Sequence, residues 1–87
     1  MYDATLLMTV TVLLFASYAD ALGAASLDLE MPSDTTVTQV VAAVRARPGA
    51  QRLPAAPLVA VNLQYANGDR VVRDGDEVAL IPPVAGG

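Results

Sequence analysis

The fold is decided by the last stretch of the chain, which reads Asp-Gly-Asp-Glu-Val-Ala-Leu-Ile-Pro-Pro-Val-Ala-Gly-Gly at positions 74–87. Asp74-Gly75 is typical of a tight turn, because glycine tolerates positive φ and aspartate bonds its own backbone. Val78 and Leu80 then alternate with their neighbours, which is the period-two pattern of a half-buried strand. Pro82-Pro83 cannot donate hydrogen bonds to a sheet, so we expect the strand to end there and the chain to leave as an extended tail.

The extended tail, residues 82–87, ends on Gly86-Gly87, so the terminal carboxylate sits on an arm that has no side chains. Glycine leaves a narrow channel unobstructed and accepts the φ and ψ that the channel imposes. Such an end suits an enzyme that must reach the α-carboxylate and activate it. Two glycines alone favour an ordinary frayed terminus, whereas two glycines behind this strand and proline pair favour a reactive chain end.

The composition is that of one small globular domain, which we expect to span residues 1–87 with a loose lead-in at 1–7. The 87 residues are 54% hydrophobic and 16% charged, so we expect a folded core and not a disordered chain. The net charge of −4 argues against nucleic acid as a partner, because phosphate binding needs a basic face. An acidic domain suits a partner with a basic surface instead.

The chain contains no cysteine and no histidine. Their absence excludes disulfides, thiolate nucleophiles and the usual zinc ligands, and we expect no metal site. It also removes the commonest general base near neutral pH. If sulfur chemistry takes place here, the sulfur must therefore be carried on a group other than a side-chain thiol.

An apolar run at residues 6–25 has the length of a signal peptide or a membrane span, but its pattern fits neither. No Lys or Arg precedes it, and Asp3 stands there instead. Asp20 interrupts the run, and its residues alternate too regularly for a lipid-facing helix. We therefore expect a cytoplasmic protein that does not bind membranes.

Hydrophobic periodicity predicts five strands and one main helix. Thr36-Val37-Thr38-Gln39 matches a capping box, and valines recur behind it at helical spacing until Pro48-Gly49 ends the helix. A short helical turn is expected at residues 17–22, with Gly23 as its C-cap, and a loop at residues 50–57. The predicted strands are residues 9–16, 26–31, 58–63, 71–72 and the strand that ends at Pro82.

The order of these elements predicts an α+β fold in which one main helix packs on one face of a mixed four- to five-stranded sheet. This is the β-grasp, or ubiquitin-like, arrangement. We expect the first and last strands to lie side by side and parallel in the centre of the sheet, because the chain crosses over between them. In the first strand, Val10, Val12 and Leu14 share one face, and Leu13 and Phe15 share the other. From the pattern alone, Leu13 and Phe15 are either covered by the rest of the fold or exposed as a small apolar patch for a partner.

The stretch at residues 74–87 resembles the C-terminus of the small subunit of molybdopterin synthase. Residues 10–16 with Gly23, and residues 59–62, resemble the first and middle strands of that family. The likeness covers most of residues 9–87, and the tail is its most specific part.

The resemblance implies a ubiquitin-like sulfur carrier that is not catalytic by itself. An ATP-dependent adenylyltransferase, similar to ubiquitin-activating enzymes, would adenylate the carboxylate of Gly87, and a sulfur donor protein would supply the sulfur that makes it a thiocarboxylate. In a heterotetramer with the large subunit, the tail would pass this sulfur to cyclic pyranopterin monophosphate during molybdenum cofactor biosynthesis. No cofactor is expected on this chain, because the activating enzyme uses the ATP. The tail residues expected to enter the large subunit are Pro82, Pro83, Val84, Ala85 and Gly86.

Alternation along the strands predicts an apolar patch on the outer face of the sheet, opposite the core. If the first and last strands are neighbours, Leu13, Phe15 and Ile81 lie together there, and Tyr65 of the adjoining strand extends the patch. We expect this patch to be the docking surface for both the activating enzyme and the large subunit.

Other functions fit the same tail. Sulfur carriers for thiamine thiazole or cysteine synthesis also end in Gly-Gly, although Pro82-Pro83 before Val84 favours the molybdopterin branch, and a tungsten cofactor would use the same carrier. A ubiquitin-like protein modifier would direct the same acyl-adenylate to a lysine amine. A plain β-grasp interaction module would leave the glycines without a role, and deletion of Gly87 separates it from the others.

Overall fold

The computed structural model describes residues 7–83. The predictions for the lead-in before Leu7 and for the tail residues Val84, Ala85, Gly86 and Gly87 lie outside the described residues. The elements in chain order are β1 (Leu7–Leu14), α1 (Ala16–Leu22), β2 (Ser26–Pro32), α2 (Val37–Arg45), a 3-10 helix (Ala50–Arg52), β3 (Leu58–Val61), β4 (Gln64–Tyr65) and β5 (Glu77–Ile81).

These strands form one mixed sheet in the order β2-β1-β5-β3-β4. β1 and β5 are parallel neighbours, with Val12 in register with Val78 and Leu14 with Leu80. The pairs β1 with β2, β3 with β4 and β3 with β5 are antiparallel. The predicted β-grasp fold is thereby confirmed, including the parallel pair that follows from the crossover between first and last strands.

The core is built from the inward positions of the strands and from one stripe of α2. In β1, Val10, Val12 and Leu14 are buried, as the alternation predicted. In β5, Val78 and Leu80 are fully buried on the same side of the sheet. α2 contributes the valines of its apolar stripe, which are Val37, Val40, Val41 and Val44.

The capping box at the start of α2 is confirmed. The backbone N–H of Gln39 donates to Thr36 Oγ1 at 3.3 Å, and the backbone N–H of Thr36 donates to Gln39 Oε1 at 2.9 Å. The helix ends at Arg45, before the Pro48-Gly49 stop signal. Arg45 Nε donates to the carbonyl oxygen of Leu53 at 3.3 Å, which ties the end of the helix to the following loop.

β1 begins at Leu7, two residues earlier than predicted. Leu7 and Met8 belong to the strand because they pair with Pro32 and Met31 at the far end of β2. Met8 is also buried, so the side-chain alternation of the strand extends back to it.

The predicted fourth strand at residues 71–72 is wrong. Val71 forms an isolated bridge with Thr36, and the backbone N–H of Val72 donates to the carbonyl oxygen of Thr35 at 2.9 Å. This segment therefore pairs with the chain just before α2 and not with the sheet. Its strand-like composition reflects the burial of Val72, whose side chain is in the core.

The fourth strand is β4, Gln64–Tyr65, and β3 ends at Val61 and not at residue 63. Asn62 and Leu63 form a two-residue turn between them, with positive φ values of 49° and 73°. Two residues of positive φ match the right-handed twist of a hairpin. The predicted third strand therefore contained this turn.

The other helical segments are short. The predicted turn at residues 17–22 is α1, and Gly23 caps it in the left-handed conformation at φ 71°. Residues 50–57, expected to be a loop, begin with the 3-10 helix, and Ala50 and Leu53 are buried. None of the helices between residues 7 and 83 has the length and apolar character that a membrane span needs.

Candidate docking surface and chain end

The tail leaves the fold from the middle of the sheet. β5 lies between β1 and β3 and ends at Ile81, and Pro82-Pro83 follow it directly. Ile81 is in register with Leu58 of β3. The first two predicted tail residues are therefore attached to a strand that is hydrogen-bonded on both sides, so the root of the tail is held firmly.

The four residues predicted for the docking surface lie together. Leu13, Phe15, Tyr65 and Ile81 line one shallow cavity of about 290 Å³ on the outer face of the sheet. The same cavity is lined by Leu63, Ala60, Ala79 and Glu77. We call the apolar part of this surface the apolar patch, and it consists of Leu13, Phe15, Ala60, Leu63, Tyr65, Ala79 and Ile81.

Strand register explains why these side chains meet. Leu13 is in register with Ala79, Ala79 with Ala60, and Ala60 with Tyr65, so one line of residues crosses β1, β5, β3 and β4. Residues in register project from the same face of a sheet, and their neighbours along each strand project into the core. The two alanines in the middle of the line form the low floor of the cavity, and the larger side chains stand around it.

Phe15 is held by the start of α1 and not by β1. The strand ends at Leu14, and Phe15 is the N-cap residue of the helix with an extended backbone at φ −124° and ψ 153°. Its carbonyl oxygen accepts the backbone N–H groups of Tyr18 and Ala19 at 3.0 and 3.3 Å. The extended backbone keeps the side chain on the outer face predicted for it, while the first turn of the helix fixes its position.

Sequence reasoning missed the contribution of Leu63. The residue lines the cavity and is 92% exposed, the largest exposure among the bulky apolar side chains described. It was predicted to end a strand, where its position would have been unremarkable. The overlooked signal was Asn62, which is one of the few residues that tolerate positive φ at the first position of a hairpin turn.

A network of hydrogen bonds holds this turn against the start of β5. Asn62 Nδ2 donates to Asp76 Oδ1 at 2.9 Å, and the backbone N–H of Glu77 donates to Asn62 Oδ1 at 3.0 Å. Asp76 Oδ2 accepts the backbone N–H of Arg73 at 2.8 Å. Asn62 also donates its backbone N–H to the carbonyl oxygen of Glu77 at 2.8 Å. Asn62 and Asp76 thus fix both the turn and the edge of the apolar patch.

Acidic and hydroxyl side chains border the apolar patch on the same face. Thr11 is in register with Asp28 of β2 on one side and with Glu77 of β5 on the other. Thr11 Oγ1 donates to Asp28 Oδ1 at 3.0 Å. Among residues 7–83 no group of three carboxylates stands close enough to hold a metal ion. The outer face therefore combines an apolar centre with an acidic border.

Comparison with known proteins identifies the family. The ThiS family matches residues 12–87. The chain belongs to the ThiS family. A relative in Arabidopsis thaliana, named molybdopterin synthase sulfur carrier subunit, is 31% identical over 86 residues, which are 98% of this chain and 90% of the relative. A Homo sapiens protein of the same name is 34% identical over 85 residues, covering 93% of this chain and 97% of that protein.

Solved structures support the fold of this ThiS-family chain. SAMP1, the small archaeal modifier protein 1 of Haloferax volcanii, superimposes with a TM-score of 0.80 at 28% identity, covering 91% of this chain and 99% of that one. A complex of subunits 1 and 2 of molybdopterin-converting factor from Helicobacter pylori contains a chain with a TM-score of 0.69 at 22% identity, covering 92% of this chain and 100% of that one. The second likeness concerns the fold alone.

Proposed function

We propose that this chain is the sulfur carrier subunit of a molybdopterin synthase and that its reactive group is the carboxylate of Gly87. The observation that carries the proposal is the position of the apolar patch beside the root of the tail: Ile81 is both the last residue of β5 and part of the patch. A partner that covers the patch would hold the tail at its own surface. Membership of the ThiS family and the names of the relatives support the same function.

The first chemical step is activation of the carboxylate. A carboxylate oxygen of Gly87 attacks the α-phosphorus of ATP, the bond from that phosphorus to the bridging oxygen breaks, and pyrophosphate leaves. The product is an acyl-adenylate, in which AMP is a good leaving group. ATP is bound by an adenylyltransferase similar to ubiquitin-activating enzymes, and the carrier supplies only the carboxylate.

The second step exchanges oxygen for sulfur. A sulfur donor protein with a persulfide attacks the acyl carbon, AMP leaves, and an acyl disulfide forms. A thiol of the partner proteins then supplies the two electrons that break the sulfur–sulfur bond, which leaves a thiocarboxylate on Gly87. The absence of cysteine and histidine from this chain is consistent with this division, because every thiol and every imidazole is then contributed by a partner.

The third step takes place in the large subunit. We propose that Pro82, Pro83, Val84, Ala85 and Gly86 enter it in extended form, so that the thiocarboxylate reaches cyclic pyranopterin monophosphate. The sulfur forms a bond to a side-chain carbon of the pterin as the bond from that carbon to an oxygen substituent breaks, and the displaced oxygen takes up a proton or stays on its phosphate. Water then cleaves the acyl–sulfur bond, which returns the carboxylate of Gly87 and leaves the sulfur on the pterin. Pro82-Pro83 restrict the backbone before binding, which lowers the entropy lost when the tail is threaded.

The apolar patch and the relatives support the large subunit as a partner. The Helicobacter pylori structure is a complex of subunits 1 and 2 of molybdopterin-converting factor, and we propose an equivalent heterotetramer in the cytoplasm for this chain. Apolar surface contributes about 25 cal/mol per Å² when it is removed from water. A partner that covers the patch therefore gains stabilisation in proportion to the apolar area it buries.

The deciding experiment is the intact mass of the chain after incubation with its adenylyltransferase, a sulfur donor and ATP. We expect one terminal oxygen to be replaced by sulfur, and the modified chain with the large subunit to convert cyclic pyranopterin monophosphate into molybdopterin. A chain that lacks Gly87 is the matched control and should show neither change. Unmodified mass in the complete mixture, with a control carrier that is converted, would refute the proposal.

A second candidate function is that of a protein modifier, which the similarity to the Haloferax volcanii modifier protein favours. The same acyl-adenylate would then react with the amine of a lysine on a target protein. All five basic residues of this chain are arginine, so it offers no lysine to another copy of itself. A modifier of this kind would form single attachments and not chains linked through lysine, which mass spectrometry of conjugates distinguishes.

A further inference from the structure

The turn between β3 and β4 contains Leu63, whose side chain is disfavoured in the backbone conformation that the turn requires. Asn62 and Leu63 both have positive φ, at 49° and 73°. Asparagine tolerates the left-handed region, and hairpin turns of this kind prefer glycine at the second position. A leucine Cβ crowds the following carbonyl oxygen in this conformation, so Leu63 destabilises the turn relative to glycine.

The side chain of Leu63 contributes little to the stability of the free chain. It is 92% exposed, so it removes almost no apolar surface from water within the fold. The stability of the free chain therefore does not explain a leucine at this position. Backbone strain of this kind is concentrated at binding sites, where the surroundings enforce it.

The surroundings of Leu63 enforce its position. Its neighbour Asn62 makes side-chain hydrogen bonds to Asp76 and to the backbone of Glu77, and Asp76 is itself fixed by the backbone of Arg73. The turn cannot swing without breaking these bonds. Leu63 is therefore presented as a fixed apolar tip, which lowers the entropy that a partner must remove on binding.

The location of Leu63 indicates what it contacts. It lines the same cavity as Tyr65 and Ile81, and it lies at the tip of the hairpin that joins β3 to β4. Glu77 lines that cavity too, and Asp76 lies next to it in the chain. A matching surface has an apolar recess for a leucine and basic side chains at its border.

We propose that Leu63 is an anchor residue through which this chain binds the large subunit of molybdopterin synthase, by inserting into an apolar recess with a basic border. The inference rests on the proposed function for the identity of the partner. It adds a contact at the hairpin tip, outside the set of residues that strand alternation predicts.

The test compares thermal unfolding of the free chain with its affinity for the large subunit from the same organism. For Leu63→Gly we expect a melting temperature equal to or above that of the wild type, because glycine accepts the positive φ. We expect the Kd to rise about tenfold, as is typical when an interface anchor is truncated. A merely structural residue would not change stability and affinity in opposite directions.

Three further variants isolate the side chain. Leu63→Met keeps an apolar side chain and should bind within about twofold of the wild type. Leu63→Asn tolerates the left-handed backbone but is polar, so it should lose affinity as the glycine variant does. Leu7→Ala is the control. Leu7 is another exposed leucine, but it lies at the start of β1 and lines a different cavity from the apolar patch, so its truncation should not change the Kd.

The possible results separate failure of the Leu63 anchor from failure of the proposed function. If the wild type binds the large subunit and Leu63→Gly binds equally tightly, the anchor is refuted while the proposed function stands. A melting temperature well below the wild type would also overturn the inference, by showing that Leu63 serves the fold. If the wild type neither binds the large subunit nor acquires sulfur, the proposed function and the anchor fail together.

Discussion

Truncation of Phe15 to alanine should weaken binding to the large subunit strongly. A phenylalanine side chain presents about 200 Å² of surface, and Phe15 is 47% exposed in the free chain. A partner that covers the apolar patch therefore removes about 90 Å² of this side chain from water, which at about 25 cal/mol per Å² contributes about 2 kcal/mol. We expect the Kd of Phe15→Ala to rise about 30-fold.

The assay is calorimetric titration of the large subunit with each variant at one salt concentration. The buried half of Phe15 also packs on this chain, so the unfolding free energy of Phe15→Ala is measured in parallel and the titration is run well below its melting temperature. Val71→Ala is a suitable control, because Val71 has a similar exposure of 42% but lies outside the apolar patch. A Kd for folded Phe15→Ala within twofold of the wild type would refute the assignment of the patch as the interface.

The remaining predictions concern stability and are measured by urea unfolding. Gly49→Ala should destabilise the chain by about 2–5 kcal/mol, because φ is 90° and the new Cβ would collide with the carbonyl oxygen of Ala21. Gly23→Ala is the control, because φ is 71° but the space around the new Cβ is open, and it should destabilise the chain by only about 1–2 kcal/mol. Equal destabilisation by the two variants would contradict the collision at Gly49. Thr36→Ala removes the cap of α2 and should destabilise by about 1 kcal/mol, while Thr36→Ser should recover most of it. Leu80→Ala empties a fully buried position in β5 and should destabilise by about 2–5 kcal/mol; a loss below 1 kcal/mol would mean that the site is not packed.

The central part of the fold was predictable because it depends on periodicity alone. Val10 and Val12 alternate with threonines, and Val78 and Leu80 are the even positions of a strand in which every second residue is buried. Burial follows this period of two without exception in the two strands. Once the helix between them requires a crossover, the parallel pairing follows from chain geometry. The outer face of the same strands was predictable for the same reason, and so were Leu13 and Ile81.

The second half of the sheet was not predictable in the same way. β4 is two exposed residues, Gln64–Tyr65, which is too short for any periodic signal. Its place depends on a turn whose second residue is Leu63 and not the glycine that would have revealed it. Val72 has the composition of a strand residue, but its burial and its bond to Thr35 arise from tertiary packing. Local propensity therefore failed where long-range contacts determined the backbone.

Residues that the stability of the free chain does not explain carry the most information about binding. A residue that stabilises the fold follows the side-chain alternation of its strand, as Val12 and Leu80 do. Leu63 breaks the rule for its turn and Phe15 leaves a large ring half exposed, so neither is explained by the stability of the free chain. Both line the same cavity on the outer face of the sheet, and the acidic border of that face disfavours self-association through like charge. We therefore expect this surface to be covered by a different protein and not by a second copy of the chain.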